Sequence, residues 1–222
     1  MLELLQEGWY FITHLNETLP AFISAHGDLV YLLLFAIIFV ETGLVVMPFL
    51  PGDSLLFVAG SLAALGVLNL WYLLALLIVA AILGDNINYW VGRFFGERIT
   101  QWTLFGKRLV RQKDLDKTHG YFERFGVRTI IIARFIPIVR TITPFVAGVG
   151  RMDYRRKFLP FDILGGILWI GLLLLAGFVF GQHPFVKKNY ETVILGIIFI
   201  SVLPMLIEVA RQFFGKKSTP SV

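Results

Sequence analysis

Two carboxylates inside apolar sequence, on either side of a proline-broken turn, constrain this chain more than any other feature. Glu41 and Asp53 flank residues 47–52, and the sequence around them is so apolar that a bilayer is its only plausible solvent. A carboxylate at membrane depth costs roughly 2.5–3.5 kcal/mol on insertion scales, and such residues generally serve a function. The pair therefore predicts a functional site at a helix break within the membrane. The residues that predict the break are Pro48, Pro51 and Gly52.

A second proline-broken apolar segment carries the opposite charge. It covers residues 129–150 and contains Arg134 and Arg140, with breaks predicted at Pro137 and Pro144. Acids in one broken segment and bases in the other are typical of transporters that build a central site from discontinuous helices. We therefore expect the four charges to meet at one site.

Composition assigns the chain to the membrane proteins. Its hydrophobic fraction of 57% exceeds the roughly 45–50% of soluble domains. With about 20 residues needed per crossing, 222 residues predict one all-α membrane domain and no second domain. The absence of cysteine excludes disulfides and thiolate chemistry, and the four scattered histidines have no spacing for a metal site. We expect no metal and no cofactor.

Positive charge sets the expected orientation. The first basic residue is Arg93, and basic residues then concentrate in residues 93–128 and 151–157. By the positive-inside rule, both stretches and the C-terminus are cytoplasmic. Topology explains this charge better than nucleic-acid binding does, and anionic lipid headgroups are the expected neighbours of the arginines.

The predicted fold is an all-α polytopic membrane protein. It combines two opposed re-entrant helical hairpins in an inverted repeat with about three spanning helices and amphipathic surface helices. Weak support for the repeat comes from the likeness of residues 48–52 to residues 144–148. The expected segments are an interfacial N-terminal stretch 1–28, one membrane domain 29–214 and a tail 215–222. Within the domain they are hairpin 29–68, spanning helix 70–92, amphipathic region 93–128, hairpin 129–150, and spanning helices 158–181 and 192–214.

Each charged residue has a structural and a functional interpretation. Asp53 follows Pro-Gly and suits the first turn of a helix, where an acid satisfies free N–H groups. Glu41 lies inside an apolar helix, where burial favours its neutral form and a nearby guanidinium its ionised form, which suits proton exchange. Arg134 and Arg140 either neutralise the acids or bind a phosphate group through their planar forks.

A third polar group supports the site or packs the helices. Asp85 and Asn88 are three residues apart and share a helical face, and Tyr89 and Arg93 follow on the same helix. Polar contacts between helices are the structural alternative. The Gly-Asp-Ser-Leu run at residues 52–55 matches a short serine-hydrolase motif, but the scattered histidines offer no triad partner. We expect no enzyme activity.

Several ordered motifs resemble the bacterial DedA family over residues 29–181. They are Phe39-Val40-Glu41-Thr42-Gly43, Pro48-Phe49-Leu50-Pro51-Gly52-Asp53, Gly84-Asp85 with Tyr89 and Gly92-Arg93, Arg134-Phe135-Ile136-Pro137 with Arg140, and Ala147-Gly148. The resemblance implies a bacterial inner-membrane protein related to the eukaryotic VTT-domain lipid scramblases, with two opposed re-entrant hairpins. It also implies transport, recycling of the carrier lipid undecaprenyl phosphate, and dependence on the proton motive force. The family's essential acids and arginines fall on Glu41, Asp53, Arg134 and Arg140.

The function expected from residues and resemblance together is a flippase for a polyprenyl phosphate, linked to the proton motive force. Glu41 and Asp53 would couple protons, and Arg134 and Arg140 would bind the phosphate of an anionic lipid. The alternatives are a proton-coupled transporter of a small ion or solute, a phospholipid scramblase and a membrane phosphatase, which would need a histidine near the arginines. Homo-oligomerisation stays open.

Overall fold

The computed structural model describes residues 15–43, 52–99, 103–104, 107–108 and 112–189. Its helices are α1 (Leu15–Gly43), α2 (Gly52–Ala64), α3 (Leu70–Ile99), α4 (Gln112–Phe125), α5 (Thr129–Ala133), α6 (Pro137–Val149), α7 (Leu159–Gly181) and α8 (Pro184–Lys188). A 3-10 turn (Gly126–Arg128) precedes α5, and a π-helical turn (Tyr154–Phe158) leads into α7. The predicted helical architecture is confirmed, apart from two antiparallel two-residue strands, β1 (Thr103–Leu104) and β2 (Lys107–Arg108).

Helices α3 and α7 are long and apolar enough to cross a bilayer. The qualifying stretches are Leu70–Gly96 and Tyr154–Gly181, each of which contains an 18-residue apolar segment, with mean hydropathies of 2.0 and 2.5. Only 33% of each 18-residue segment is buried inside the protein, and the outer faces carry large exposed apolar side chains. Among these side chains are Leu83, Ile87, Leu168, Leu172 and Val179. Such faces suit contact with lipid.

Two helices extend beyond the predicted segment boundaries. Helix α1 runs unbroken from Leu15 to Gly43, because Gly27 and Asp28 lower helix propensity without stopping a helix that apolar sequence continues. Helix α3 extends to Ile99 rather than residue 92, since no proline follows Gly92 to end it. Predictions for residues 1–14, for the breaks at Pro48 and Pro51, for the spanning helix 192–214 and for the tail 215–222 lie outside the described residues.

Helices α2 and α6 are too short to cross a bilayer. Each has 13 residues, or about 20 Å of helix against a hydrocarbon core of about 30 Å. Pro137 begins α6, where its missing N–H costs no hydrogen bond. The predicted break at Pro144 is wrong, because Pro144 lies inside α6. A single lost backbone hydrogen bond is tolerated where neighbouring helices support the chain.

Helix α2 crosses α7 at two glycines. A Cβ added to Gly60 would lie 2.1 Å from the Leu174 carbonyl oxygen, and one added to Gly177 would lie 2.0 Å from that of Phe57. Backbones this close exclude any side chain larger than hydrogen.

Helix α6 crosses α3 with the same contact pattern. A Cβ on Gly148 would lie 2.0 Å from the Tyr89 carbonyl oxygen, and one on Gly92 would lie 2.2 Å from that of Phe145. The short helix carries the sequence Phe-Val-Ala-Gly at both crossings, in residues 57–60 and 145–148. Each short helix thus lies on the long helix that belongs to the other half of the chain.

Helices α1 and α3 also meet at glycines. A Cβ on Gly43 would lie 3.4 Å from the Gly84 Cα, and one on Gly84 would lie 1.9 Å from the Thr42 Oγ1. This contact holds the C-terminal turn of α1, which carries Glu41, against the turn of α3 that carries Asp85.

Helix α4 is the amphipathic surface helix that the sequence predicts. Leu115 is buried and packs with Ile142 and Phe145 of α6, whereas Lys117 and His119 are exposed. Helix α4 therefore covers the outer side of α6. The side of the membrane on which it lies remains a prediction.

Candidate functional site

Arg140 joins the two acids that flank the first helix break. Its Nη2 lies 2.5 Å from Glu41 Oε1, and its Nη1 lies 2.6 Å from Asp53 Oδ1. Glu41 comes from the last turn of α1, Asp53 from the first turn of α2, and Arg140 from the first turn of α6. We call these three residues the Arg140 centre. One guanidinium thereby connects both sides of the first break to the second broken segment.

The Arg140 centre is sealed on one side and open on the other. The Glu41 and Arg140 side chains are 1% and 5% exposed, whereas the Asp53 side chain is 47% exposed. Of the two carboxylates, Asp53 is therefore the one that solvent or a lipid headgroup can reach.

Gly52 makes room for the Glu41 carboxylate. A Cβ at Gly52 would lie 1.8 Å from Glu41 Oε2. Gly52, which the sequence predicts as part of a helix break, therefore also contacts the Glu41 carboxylate. Only a residue without a side chain allows so close an approach.

Trp169 of α7 completes the Arg140 centre, although no sequence pattern singles it out. Its ring centroid lies 4.4 Å from Arg140 Cζ, which is a favourable cation–π geometry. Its indole Nε1 donates a hydrogen bond of 3.0 Å to Asp53 Oδ1. The tryptophan therefore orients the guanidinium and one of its two acids.

Arg134 forms a second centre with different partners. Its Nη2 contacts Asp85 Oδ2 and lies 2.6 Å from Asp162 Oδ1. We call Asp85, Arg134 and Asp162 the Arg134 centre. All three side chains are at most 3% exposed. The ring of Trp169 lies between the two centres, with its centroid 6.0 Å from Arg134 Cζ.

The expectation of one site with four charges is therefore wrong in its pairing. Glu41 and Asp53 meet Arg140, as predicted, but Arg134 meets Asp85 and Asp162 instead. We missed Asp162, although the rule that singled out Glu41, an acid inside an apolar helix, applies to it equally. It lies in the first turn of α7, where an acid also suits the helix dipole.

Asn88 ties together the backbones beside the Arg140 centre. Its Nδ2 donates hydrogen bonds to the carbonyl oxygens of Thr42, at 3.2 Å, and Thr141, at 2.7 Å. These residues follow Glu41 and Arg140 in the chain. Asn88 is fully buried, so it fixes the separation of α1 and α6 where the ion pair forms.

Tyr89 and Arg93 lie outside both centres. The Tyr89 hydroxyl donates to the carbonyl oxygen of Met152 and accepts a 3.2 Å hydrogen bond from Arg93 Nη1. The Tyr89 ring stacks on Phe158 with a centroid distance of 4.5 Å. The two residues therefore anchor α3 to the turn before α7.

Carboxylates outnumber guanidinium groups in the two centres. Four acids face Arg134 and Arg140, so full ionisation would leave two negative charges without a partner. Uncompensated charge is very costly where water cannot reach it, as in the Arg134 centre, whose three side chains are buried. Among the described residues, no group of metal-binding side chains occurs.

Comparison with known proteins gives one family. The VTT domain model matches residues 50–179. The chain is 48% identical to "Protein DedA" of Escherichia coli (strain K12) over 204 residues, which cover 91% of this chain and 92% of that protein. It is 48% identical to "Uncharacterized membrane protein ML0287" of Mycobacterium leprae over 186 residues, with coverage of 82% and 81%. It is 35% identical to "Inner membrane protein YghB" of Escherichia coli (strain K12) over 178 residues, with coverage of 80% and 78%. No solved structure matches the chain.

Proposed function

This chain belongs to the DedA family of VTT-domain membrane proteins, and from that membership we propose that it is a proton-linked flippase for a polyprenyl phosphate. The proposed substrate is undecaprenyl phosphate, whose headgroup would cross while its tail stays in the bilayer. The proposed location is the bacterial inner membrane, in keeping with the name of the relative "Inner membrane protein YghB".

The observation that carries the proposal is the position of Arg140 between two carboxylates. A planar guanidinium binds two carboxylate oxygens or two phosphate oxygens with the same fork. Glu41 and Asp53 occupy the fork, so a phosphate can bind only where the acids withdraw. The half-exposed Asp53 lies on the side from which a headgroup can approach.

Protonation of an acid allows Arg140 to exchange a carboxylate partner for a phosphate. A proton on Glu41 or Asp53 removes the negative charge that holds Arg140, and the freed guanidinium nitrogen then binds a phosphate oxygen. Release of the proton restores the ion pair and expels the phosphate. Trp169 keeps the guanidinium in place during the exchange, because its ring face attracts the cation in both states.

The proposed architecture consists of two opposed re-entrant hairpins in an inverted repeat. In support, α2 and α6 are equally short, and the Phe-Val-Ala-Gly sequence of each contacts a glycine of α7 or α3 in the same way. Irregular backbone at membrane depth is tolerated where protein or a water-filled cavity surrounds it. Rocking of one repeat against the other would expose the Arg140 centre to each side in turn.

A catalytic role is not part of the proposal. Arg140 faces two carboxylates and an indole ring, and among the described contacts of this centre no histidine or serine is present to act as nucleophile or acid. We therefore propose movement of the lipid rather than hydrolysis.

The test is movement of the undecaprenyl phosphate headgroup across proteoliposomes with an imposed pH gradient. Access of a membrane-impermeant phosphate reagent to the outer leaflet reports the movement. We expect gradient-dependent movement by the natural protein, its loss in Arg140→Ala and Glu41→Gln, and its retention in Arg155→Ala, which removes an exposed arginine as the matched control.

Other outcomes identify the alternatives. Headgroup movement at the same rate with and without the pH gradient would indicate a scramblase. Absence of lipid movement, together with uptake of a soluble anion or cation, would indicate a proton-coupled transporter of a small solute. Full activity in Arg140→Ala would overturn the role of Arg140.

A further inference from the structure

The Arg134 centre has a geometry that the phosphate-exchange mechanism does not use. Asp85 of α3 and Asp162 of α7 both bind the same nitrogen, Nη2, of Arg134. The same nitrogen also donates to the Asp162 carbonyl oxygen, at 3.3 Å. Arg134 itself lies in the turn between α5 and α6. Two carboxyl groups that converge on one nitrogen also lie close to each other.

The centre carries one uncompensated negative charge if both acids are ionised. None of its three side chains is more than 3% exposed, so water cannot screen that charge. Two carboxylates held together in such a place do not both stay ionised, because like charges at this range strongly favour retention of one proton. A single bound proton makes the centre neutral.

The hydrogen bonds of the centre are incomplete in the way a shared proton requires. Within the part of the chain that the structure describes, Arg134 Nη1, Asp85 Oδ1 and Asp162 Oδ2 are buried without a hydrogen-bond partner. A guanidinium that neutralised two ionised carboxylates would bind one with each terminal nitrogen, as Arg140 does. Here one terminal nitrogen is idle, and both acids keep an oxygen that can carry a proton.

The surroundings contain few other charges. The other buried cation among the described residues is Arg140 of α6, which interacts electrostatically with Asp85 from the neighbouring centre. Arg140 is itself paired with Glu41 of α1. Apart from Asp162, the residues of α7 that face Arg134 are uncharged: Trp169, and Gly165 and Gly166, where an added Cβ would lie 3.4 Å from Arg134 Nε and 3.7 Å from its Nη2. The other buried charged side chains of the described residues thus belong to the Arg140 centre.

We propose that Asp85 and Asp162 bind one proton between them beside Arg134, and that this is a second proton-binding site, separate from Glu41 and Asp53. The proton forms an O–H bond on one acid and is hydrogen-bonded by the other, which stays ionised and paired with Arg134. No covalent bond other than this O–H bond forms or breaks.

The site is closed, unlike the Arg140 centre. Its residues come from α3, α7 and the α5–α6 turn, and neither acid is exposed. Proton exchange therefore requires these elements to separate, which links the proton to the movement of the helices. That role in coupling rests on the proposed function, whereas proton binding at the site does not.

Infrared spectroscopy of the full chain in lipid nanodiscs tests the proposal without any substrate. Aspartate labelled with ¹³C at the side-chain carboxyl shifts aspartic acid bands and leaves glutamic acid bands in place, so Glu41 does not interfere. We expect a protonated aspartic acid band in the natural protein at neutral pH. The band should be lost in Asp162→Asn and in Asp85→Asn.

Asp53→Asn is the matched control, because it changes the half-exposed aspartate of the Arg140 centre. We expect this variant to keep the band. Both asparagine variants of the Arg134 centre should remain folded, since each leaves Arg134 paired with one acid. Circular dichroism and the thermal midpoint check the fold of all three variants.

Two results would overturn the proposal. One is a natural protein without a protonated aspartic acid band. The other is a band that persists in folded Asp162→Asn or Asp85→Asn, or one that disappears in Asp53→Asn. If the band behaves as expected but no lipid moves, the proton site stands and the proposed flippase function fails.

Discussion

At the scale of single residues, the two buried arginines differ in how they bind their acid partners. Arg140 uses both terminal nitrogens and lies beside a half-exposed acid, so its partners can change. Arg134 uses one terminal nitrogen for two buried acids, so its surroundings must bind a proton or remain charged. The sequence predicts phosphate binding by both arginines. The exposure of their acid partners favours Arg140 for that role, because Asp53 is half-exposed whereas Asp85 and Asp162 are buried.

Replacing Arg140 by lysine should remove transport while keeping the charge. An ammonium is a point charge that cannot bridge Glu41 and Asp53 as a planar fork does. We expect headgroup movement to fall at least tenfold in Arg140→Lys, measured in the proteoliposome assay. Arg155→Lys is the control, and equal rates in the two variants would contradict the bridging role.

Removing the positive charge of Arg140 should also destabilise the protein. Truncating one partner of a buried ion pair typically costs about 3–5 kcal/mol, because the remaining charge stays buried. We expect a lower thermal midpoint in Arg140→Ala and recovery of most of the loss in Glu41→Gln/Arg140→Ala, which removes the orphaned acid. Recovery of stability without transport would separate the two roles of Arg140.

Trp169 makes two contacts that substitution can separate. Phenylalanine keeps a ring face near Arg140 but removes the N–H that binds Asp53, and leucine removes both contacts. We expect the transport rate to fall in the order natural protein, Trp169→Phe, Trp169→Leu. Trp169→Phe should already be slower than the natural protein, because Asp53 loses a hydrogen-bond donor. Equal rates in the natural protein and in Trp169→Phe would leave only the contact of the ring with Arg140.

At the scale of helices, close crossings place the charges. The two short helices α2 and α6 carry Asp53 and Arg140 in their first turns, and glycine contacts with α7 and α3 hold them. A shift of either crossing moves one member of the ion pair. The glycines therefore control the geometry of a site that they do not touch.

Substitution at these crossings should destabilise the protein. Gly60→Ala and Gly92→Ala would bring a methyl carbon to 2.1 Å and 2.2 Å from a backbone oxygen, and overpacking typically costs about 1–3 kcal/mol. Gly171→Ala is the control, since nothing lies within 4 Å of its added Cβ. We expect lower thermal midpoints in detergent for the first two variants only. Equal midpoints in all three would show that the crossings adjust.

At the scale of the whole molecule, the proposed inverted repeat makes a prediction about sidedness. The chain contains no native cysteine, so a single introduced cysteine can be labelled without background. We expect Arg155→Cys to react with a membrane-impermeant maleimide from the cytoplasmic side and Phe185→Cys to react from the opposite side, because α7 lies between them. Labelling of both from one side would contradict a spanning α7.

The apolar runs and the distribution of basic residues were enough to predict a helical membrane protein, because local hydrophobicity and charge act on each segment independently. The helices around residues 70–92 and 158–181, the short helix after Gly52, the helix break at Pro137 and a meeting of Glu41 and Asp53 with an arginine of the second broken segment were all predicted. The family membership was confirmed by the relatives.

Only the tertiary structure decided how the remaining charges pair. Which acid meets which arginine depends on helix crossings that join residues far apart in the chain, such as Arg134 with Asp85 and Asp162. Trp169 entered the site for the same reason, since nothing local in α7 marks it. The sequence by itself determined that charges had to be neutralised inside the membrane, and the packing of glycine-lined helices decided their partners.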